Sequence, residues 1–280
     1  MIYNPLVSII TPTLNNIQCV KLCIENVLHQ SYPHIEHIFV DGDSIDGTLD
    51  ILLDYSTAYP NKVRYMSESD NSSTEAVSKG FSMAKGQILG QIGSDDTYEP
   101  DTIQIVVDFF KANPNAYFVF GDCNLVNKRG EIVKRVRPKD FDLKKSLDGN
   151  FDVPGTSTFY KREVIEQVGY SNNPEAKLAS DIDLLVRAAK VFEIHRIDKV
   201  LSNWGFHKWD FTGNEWAIRK TTARSFYLIS RRYGGRFFSG HRKRYYMLLI
   251  IDWLKPIIGY FYPYLAKLLN RKYESHGRHY

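Results

Sequence analysis

A chain of 280 residues with 43% hydrophobic and 24% charged residues can bury a sizeable core, which excludes a mainly disordered chain. Its 18 Gly and 11 Pro follow no period and no repeat recurs at fixed spacing, so collagen-like, low-complexity, solenoid and propeller classes are out. The formal net charge of +4 hides an asymmetry: residues 219–280 hold 14 Lys and Arg against 2 Asp and Glu, and the first 218 residues hold 22 against 30. The same tail carries 14 of the 38 aromatic residues, so two kinds of surface are expected, with a boundary near Trp216–Thr222. The three cysteines, Cys19, Cys23 and Cys123, are too few and wrongly spaced for a zinc site or a disulfide framework, and read as reduced thiols in a cytoplasm. The opening MIYNPLVSIITPTLN lacks a basic stretch and a long apolar run, so no signal peptide is expected.

In chain order, Leu6–Thr11 is a short apolar run closed by Pro12, the pattern of a buried parallel strand. Ile17, Val20, Ile24, Val27 and Leu28 recur at helical spacing, and Tyr32-Pro33 ends that helix. Ile35–Val40 is a second strand, Thr48–Tyr55 a helix, Lys62–Met66 a strand, Thr74–Ala84 a helix and Gln87–Ile92 a strand. Pro100 opens a further helix, and Ala116–Phe120 is strand-like. This alternation implies a mostly parallel sheet with helices on both faces. Beyond Gly121, Cys123–Val126 and Glu131–Val136 predict a hairpin through Asn127-Lys128-Arg129-Gly130. A loop over Pro138–Pro154 follows, then a strand at Ser157–Tyr160, a helix from Lys161, a helix over Asp181–Lys190 and a strand at Phe192–Ile197.

Two acidic clusters follow predicted strands directly: Asp41-Gly42-Asp43-Ser44-Ile45-Asp46-Gly47-Thr48 and Ser94-Asp95-Asp96. Ligands of open α/β sheets bind beyond the carboxyl ends of strands. Carboxylates gathered there repel one another unless a cation or a hydrogen-bonding ligand is present, and hard divalent cations favour such oxygens. A metal–nucleotide diphosphate uses both kinds of contact. The plainer alternative is local: Ser44, Asp46 and Gly47 suit a turn and helix cap, and Asp95-Asp96 a turn before the Pro100 helix. No GxGxxG, GxxxxGK[ST] or GxSxG occurs, so the usual dehydrogenase, P-loop and α/β-hydrolase fingerprints are missing.

The ordered set VSIITPTLN (7–15), VDGDSIDGT (40–48), SESD followed by AVSKGFSMAKGQILGQIGSDD (67–96), FVFGDCNLVNKRGEIV, TFYKREVIEQVG and ASDIDLLVRAAK (179–190) resembles the family 2 glycosyltransferases with the GT-A fold, over about residues 5–210. The VDG and SDD variant is similar to bacterial enzymes that build surface polysaccharides. The resemblance implies a Rossmann-like GT-A domain over residues 1–218 and a basic, aromatic helical extension over 219–280. It implies that Thr11, Pro12, Asp41, Asp43, Asp70, Lys79 and Asp95 bind a nucleotide-sugar, UDP-linked by preference. It implies Asp96 and His207 as ligands of Mn2+ or Mg2+, and Asp181 as the catalytic base that deprotonates an acceptor hydroxyl during inverting transfer. Departures from the family pattern are Gly42 for a second Asp, Ser72-Ser73-Thr74 for Gly-Ile-Tyr, Val77-Ser78 for Arg-Asn or Met-Asn, Gly155-Thr156-Ser157 near the His-Gln of relatives, and Ser180 for Glu beside Asp181. Plainer alternatives stand beside these roles: Asp181 as a helix N-cap, Asp183 as the partner of Arg187 at i+4, and His207 as an ordinary histidine among aromatics.

In the tail, Tyr245–Leu269 is long enough to suggest a membrane span, but Asp252 and Lys255 lie near its centre and Pro256 and Pro263 are expected to interrupt it. Flanking Arg242-Lys243-Arg244 and Arg271-Lys272, with Trp253 and the tyrosines, point instead to an interfacial segment on an anionic inner leaflet. That placement fits a cytoplasmic, peripheral enzyme with a glycan or polyprenyl-diphosphate-linked acceptor. The alternative is a helical hairpin packed on the body or on a second subunit, as in a homodimer. Nucleic-acid binding is not expected, because the aromatics sit in aliphatic runs rather than on a polar basic face. Two other functions compete with transfer: a catalytically silent sugar-nucleotide or glycan-binding protein, and a nucleotidyltransferase, whose basic Gly-rich loop is missing from Leu14–Val20.

Overall fold

The computed structural model describes residues 3–261 except 71, 128, 150, 171–172, 174–178 and 206–214. The chain runs β1 (Val7–Thr13), α1 (Val20–Leu28), β2 (Ile35–Asp41), α2 (Thr48–Ala58), β3 (Val63–Ser67), α3 (Ser73–Met83), β4 (Ile88–Gln91), β5 (Thr97–Tyr98), α4 (Thr102–Ala112), β6 (Phe118–Val126), β7 (Ile132–Val136), α5 (Leu143–Gly149), β8 (Thr158–Lys161), α6 (Arg162–Val168), α7 (Ser180–Ala188), β9 (Ile194–Gly205), α8 (Glu215–Arg232) and α9 (Gly240–Phe261). One sheet holds the strands in the order β3-β2-β1-β4-β8-β6-β9-β5, with β7 beside β6. Strands β3, β2, β1 and β4 pair in parallel; β8 is antiparallel to both β4 and β6, and β9 runs parallel to β6. This is the mostly parallel α/β architecture that the strand–helix alternation predicts.

The sheet is covered on both faces, which explains why its strands are apolar throughout. Successive side chains point to opposite faces. Ile9, Phe39 and Val119 therefore join α1, α2 and α4 in one core, while Ile10, Ile38, Phe118 and Phe120 join α3, α5, α6, α7 and α8 in the other. Each fully buried Ile or Phe contributes ~1.5–3 kcal/mol relative to exposure, so the two layers dominate the stability of the domain.

Register brings the site together. Thr13 pairs with Asp41, and Asp41 with Ser67, so β1, β2 and β3 finish level and their following loops share one edge. Several sequence expectations need correction. Helix α1 begins at Val20 rather than at Ile17, because residues 14–19 are tied into loop contacts. Strand β6 is continuous across Gly121, where two strands were expected: a side chain there would stand 2.5 Å from Leu201 Cγ, so the glycine admits the neighbouring strand rather than ending its own. Strand β9 extends to Gly205, held by pairing with β6 and β5.

The expected loop over 138–154 contains α5, and α5 is the platform for the tail. The Ser230 hydroxyl donates to Leu147 O at 2.6 Å, the His241 ring meets Ser146 O at 2.8 Å, and Arg236 pairs with Asp148 at 3.0 Å. Phe151 stacks on His241 and meets Phe226 edge-on. The expected boundary after residue 218 falls inside α8, whose later turns lie in the second core through Ile229. Helix α9 passes through Pro256, which was expected to interrupt it; a proline removes one intrahelical hydrogen bond and need not end a helix packed along its side. Pro263, Arg271-Lys272 and the rest of the expected interfacial segment lie outside the described residues.

Candidate active site

The loops after β1, β2 and β4 are laced together. Asn15 N–H donates to Ser44 Oγ at 2.8 Å, and Ile45 N–H returns a bond to Asn15 Oδ1 at 2.9 Å. Asn16 N–H donates to Thr48 Oγ1 at 2.9 Å, while its side-chain amide donates to Ser94 Oγ at 2.7 Å. Asn16 thus joins all three strand ends. Sequence reasoning missed it, although an Asn-Asn pair just beyond a strand signals turn chemistry.

Asp41 is fully buried, and its carboxylate accepts from Ser44 N at 3.0 Å, Ser44 Oγ at 2.5 Å and Ser67 Oγ at 2.7 Å. It closes the turn and ties β2 to β3, as the local reading of this cluster holds. Asp46 accepts from Thr48 N, Thr48 Oγ1 and Ile17 N. Desolvation pushes its pKa up, but those bonds outweigh it and hold the carboxyl below the ordinary value. Asp43 is exposed, in a left-handed conformation at φ 70°. Thr11 is also buried, its hydroxyl 2.8 Å from His37 Nε2, and Pro12 beside it is half-buried. His37 sits beneath, with burial pushing its pKa down to about 3, so it is neutral.

Asp70 is half-buried beside Gly42, and burial raises its pKa. A side chain at residue 42 would place its Cβ 3.1 Å from Asp70 Oδ2, so the glycine that departs from the family pattern leaves room for this carboxylate. Lys79, expected to bind the donor, already pairs with Glu68 at 2.6 Å and Glu75 at 3.1 Å, and the Glu68 bond leads in raising its pKa.

Beyond β4, Asp95 is half-buried and Asp96 buried. Asp96 accepts from Gly205 N at 2.9 Å and Gly93 N at 3.2 Å, tying the end of β9 to the β4 loop. Among the described residues no three His, Cys, Asp or Glu side chains group to hold a metal, and His207 lies outside the described residues. A catalytic Mg2+-type ion needs only one or two protein carboxylates when phosphates complete its shell. Two adjacent carboxylates at a strand end fit that donor set.

The opposite wall is a 3-10 turn, Gly155–Ser157, set against β4, β6 and β9. Its hydroxyls form a cluster: Thr156 Oγ1 and Ser157 Oγ lie 2.9 and 2.6 Å from Ser202 Oγ, and Cys123 Sγ lies 3.8 Å from Thr156 Oγ1. Asp181 stands over this turn. A Cβ on Gly155 would lie 2.1 Å from Asp181 Oδ2, so only glycine leaves room for the carboxylate here. Burial raises the Asp181 pKa, against the Ile182 N–H donated to Oδ1 at 2.9 Å. Asp181 is not a helix cap; Ala179 holds that position. Tyr170 fixes the approach of α7, its hydroxyl donating to Gln91 Oε1 at 2.9 Å and lying 3.3 Å from Ser180 Oγ. Asp183 is buried and pairs with Arg187 at 2.8 Å, the plain reading of that spacing, and also accepts from Asn173 and Tyr233 at 3.0 Å.

A half of parallel strands, an acidic strand-end edge and the Asp181 carboxylate on a facing helix match the GT-A fold. The chain belongs to glycosyl transferase family 2, whose model matches residues 8–169. It is 26% identical over 223 residues to the putative teichuronic acid biosynthesis glycosyltransferase TuaG of Bacillus subtilis (strain 168), covering 79% of this chain and 86% of that protein. The mannosyltransferase PcManGT from Pyrobaculum calidifontis, solved with GDP-Man and Mn2+, superposes with a TM-score of 0.65 at 19% identity, over 98% of this chain and 81% of that one. S. aureus TarS 1–349, solved with UDP-GlcNAc, gives 0.59 at 13% identity, over 87% and 71%. The first curated relatives it matches are longer: the chain spans 35% and 29% of the first two.

Proposed function

We propose that the protein is an inverting, metal-dependent glycosyltransferase that moves a sugar from a nucleotide diphosphate to a hydroxyl of a glycan or lipid-linked acceptor in surface-polysaccharide assembly. The observation that carries this reading is the Asp181 carboxylate, seated over side-chain-free Gly155 with its pKa raised by burial. A raised pKa makes a carboxylate a stronger base. Asp181 takes the acceptor hydroxyl proton as that oxygen bonds to the anomeric carbon. The bond from that carbon to the diphosphate breaks on the opposite side, and its electron pair leaves with the nucleoside diphosphate.

Asp96 would hold Mn2+ or Mg2+ with the donor diphosphate, beside Asp95 on the ribose or sugar, and the ion when bound would neutralise charge on the leaving group. With the Thr11 hydroxyl against His37 and the Asp41 carboxylate bonded to Ser44 and Ser67, base and ribose contacts would draw on Asp70, Asp43, Asp95, Pro12 and the main chain beside them. Lys79 steadies Asp70 electrostatically. UDP is the favoured nucleotide; the two structural neighbours carry GDP-Man and UDP-GlcNAc. Contact with a lipid-linked acceptor would be peripheral, at the cytoplasmic face; no helix among the described residues is long and apolar enough to cross a membrane.

The test is a panel of UDP-, GDP- and dTDP-sugars with Mn2+, Mg2+ or chelator, reading thermal shift and released nucleoside diphosphate. Metal-dependent stabilisation by one nucleotide, with slow hydrolysis lost in Asp96→Ala, is expected. No stabilisation by any nucleotide would overturn the reading.

A further inference from the structure

Helix α9 has two unlike sides. The inner side, through His241 and Leu248, is buried against the body. The outer side presents Tyr246, Met247, Ile250 and Trp253, which are 44%, 50%, 57% and 70% exposed. At a period of 3.6 residues these four form one stripe. Phe237 and Phe238, in the turn before α9, are 66% and 76% exposed. Isolated exposed apolar residues are ordinary on a monomer, but a connected group of this size marks an interaction surface.

The charged side chains on the stripe's own helix face are cations, and Asp148, near the turn, is paired with Arg236. The Arg242 guanidinium lies 3.5 Å from the Phe237 ring centre and 5.3 Å from that of Tyr246, joining the turn to the stripe. Lys243 is exposed, three and four residues before Tyr246 and Met247, so it falls on the same face. The acid of this helix, Asp252, turns the other way and pairs with Lys220 of α8 at 2.7 Å. Aromatics with a wet edge, aliphatic side chains between them and cations at one end form the pattern that settles at a headgroup boundary, in the plane of the bilayer.

We infer that this face, Phe237, Phe238, Tyr246, Met247, Ile250 and Trp253 with Arg242 and Lys243, docks on an anionic phospholipid surface. The inference deepens the peripheral placement proposed above. It rests on that reading for its purpose, but its test needs neither donor nor acceptor sugar. The partner is identified by charge: a zwitterionic surface complements the apolar stripe alone, whereas an anionic one complements the cations as well.

The full chain is mixed with vesicles of phosphatidylcholine, with and without phosphatidylglycerol, and binding is read by flotation. Binding is expected to the phosphatidylglycerol vesicles and to weaken as salt is raised. Lys243→Gln should lower affinity roughly fivefold, the weight of one cation at such a surface. Ile250→Ser with Trp253→Ser should lower it more than about tenfold, as buried apolar area is lost. These side chains are exposed, so unchanged thermal unfolding of the variants separates lost docking from lost folding. Failure of the wild-type chain to float with phosphatidylglycerol, or binding indifferent to the double substitution, would overturn the inference. So would a dimer that Trp253→Asp turns into a monomer without any vesicle binding, because the face would then belong to a second copy. Absent turnover with every donor would sink the transferase reading while leaving the vesicle result intact.

Discussion

The two halves of this molecule handle carboxylates differently. In the first, residues 7–98, Asp41 and Asp46 are held mostly by neighbours a few residues away, such as Ser44 and Thr48, and serve turns. In the second, from β6 onward, Asp181 is seated over Gly155 from a separate element, and Asp183 links Arg187, one turn on in its own helix, to Asn173 and to the distant Tyr233 just after α8. Turn bonds predominate at Asp41 and Asp46, whereas packing between separate elements sets Asp181. Substitutions on the two sides should therefore differ in what they change.

The largest effect is expected at Asp181. Asp181→Asn should lower kcat by at least about 10²-fold, the general-base range, with donor affinity retained in the thermal-shift assay. The wild-type rate should fall on the acid side at a pH above the ordinary aspartate range, since burial raises this pKa and protonation removes the base. An unchanged kcat in the variant would assign the base elsewhere.

Next in size is Asp183→Ala, which leaves the largely buried Arg187 without its carboxylate. Urea unfolding should show a loss of ~3 kcal/mol. Because Tyr233 also loses a partner, the change should loosen the tail from α7. A variant as stable as wild type would mean that the network contributes nothing to joining the halves.

Gly155→Ala tests the same side more finely. The added methyl claims the space of Asp181 Oδ2, so kcat should drop by about tenfold or more through misplacement of the base. KM for the donor should hold, because the strand-end loops are untouched. A matching loss in KM and stability would show a folding defect rather than a positioning one.

The smallest effect belongs to the first half. His37 is buried and neutral, with its pKa down to about 3. The unfolded chain takes up a proton on this ring near the ordinary histidine value while the folded chain does not, so stability is lost as pH falls from about 6.5 toward 3. Between pH 7 and 5.5 the loss is about 1 kcal/mol. His37→Gln should flatten that slope in unfolding titrations. An equal slope would point to another group, such as His241, which burial also holds down.

The sequence carried β1 to β4 to within a residue or two at most ends, because strands buried on both faces form unbroken apolar runs and Pro, Gly and Asp mark their ends. It also carried the Asp183–Arg187 pair, which depends only on helical spacing. It did not carry α5, a seven-residue helix whose polar sequence resembles a loop and which gains its place by receiving the tail. Nor did it carry the inward turn of the Thr11 hydroxyl, since a strand end looks alike from sequence whichever face its last residues present.

What the sequence by itself determined was the family, the order of strands and helices, and the edge on which the acidic residues gather, all of which follow from short-range pattern. Only the tertiary structure decided which carboxylates close turns and which stands over the cleft. It also decided which side of the tail is buried and which is left bare. Those outcomes depend on partners from 26 to more than 80 residues away, such as Gly155 beneath Asp181, Ser67 against Asp41 and Ser146 under His241, and no local spacing encodes them.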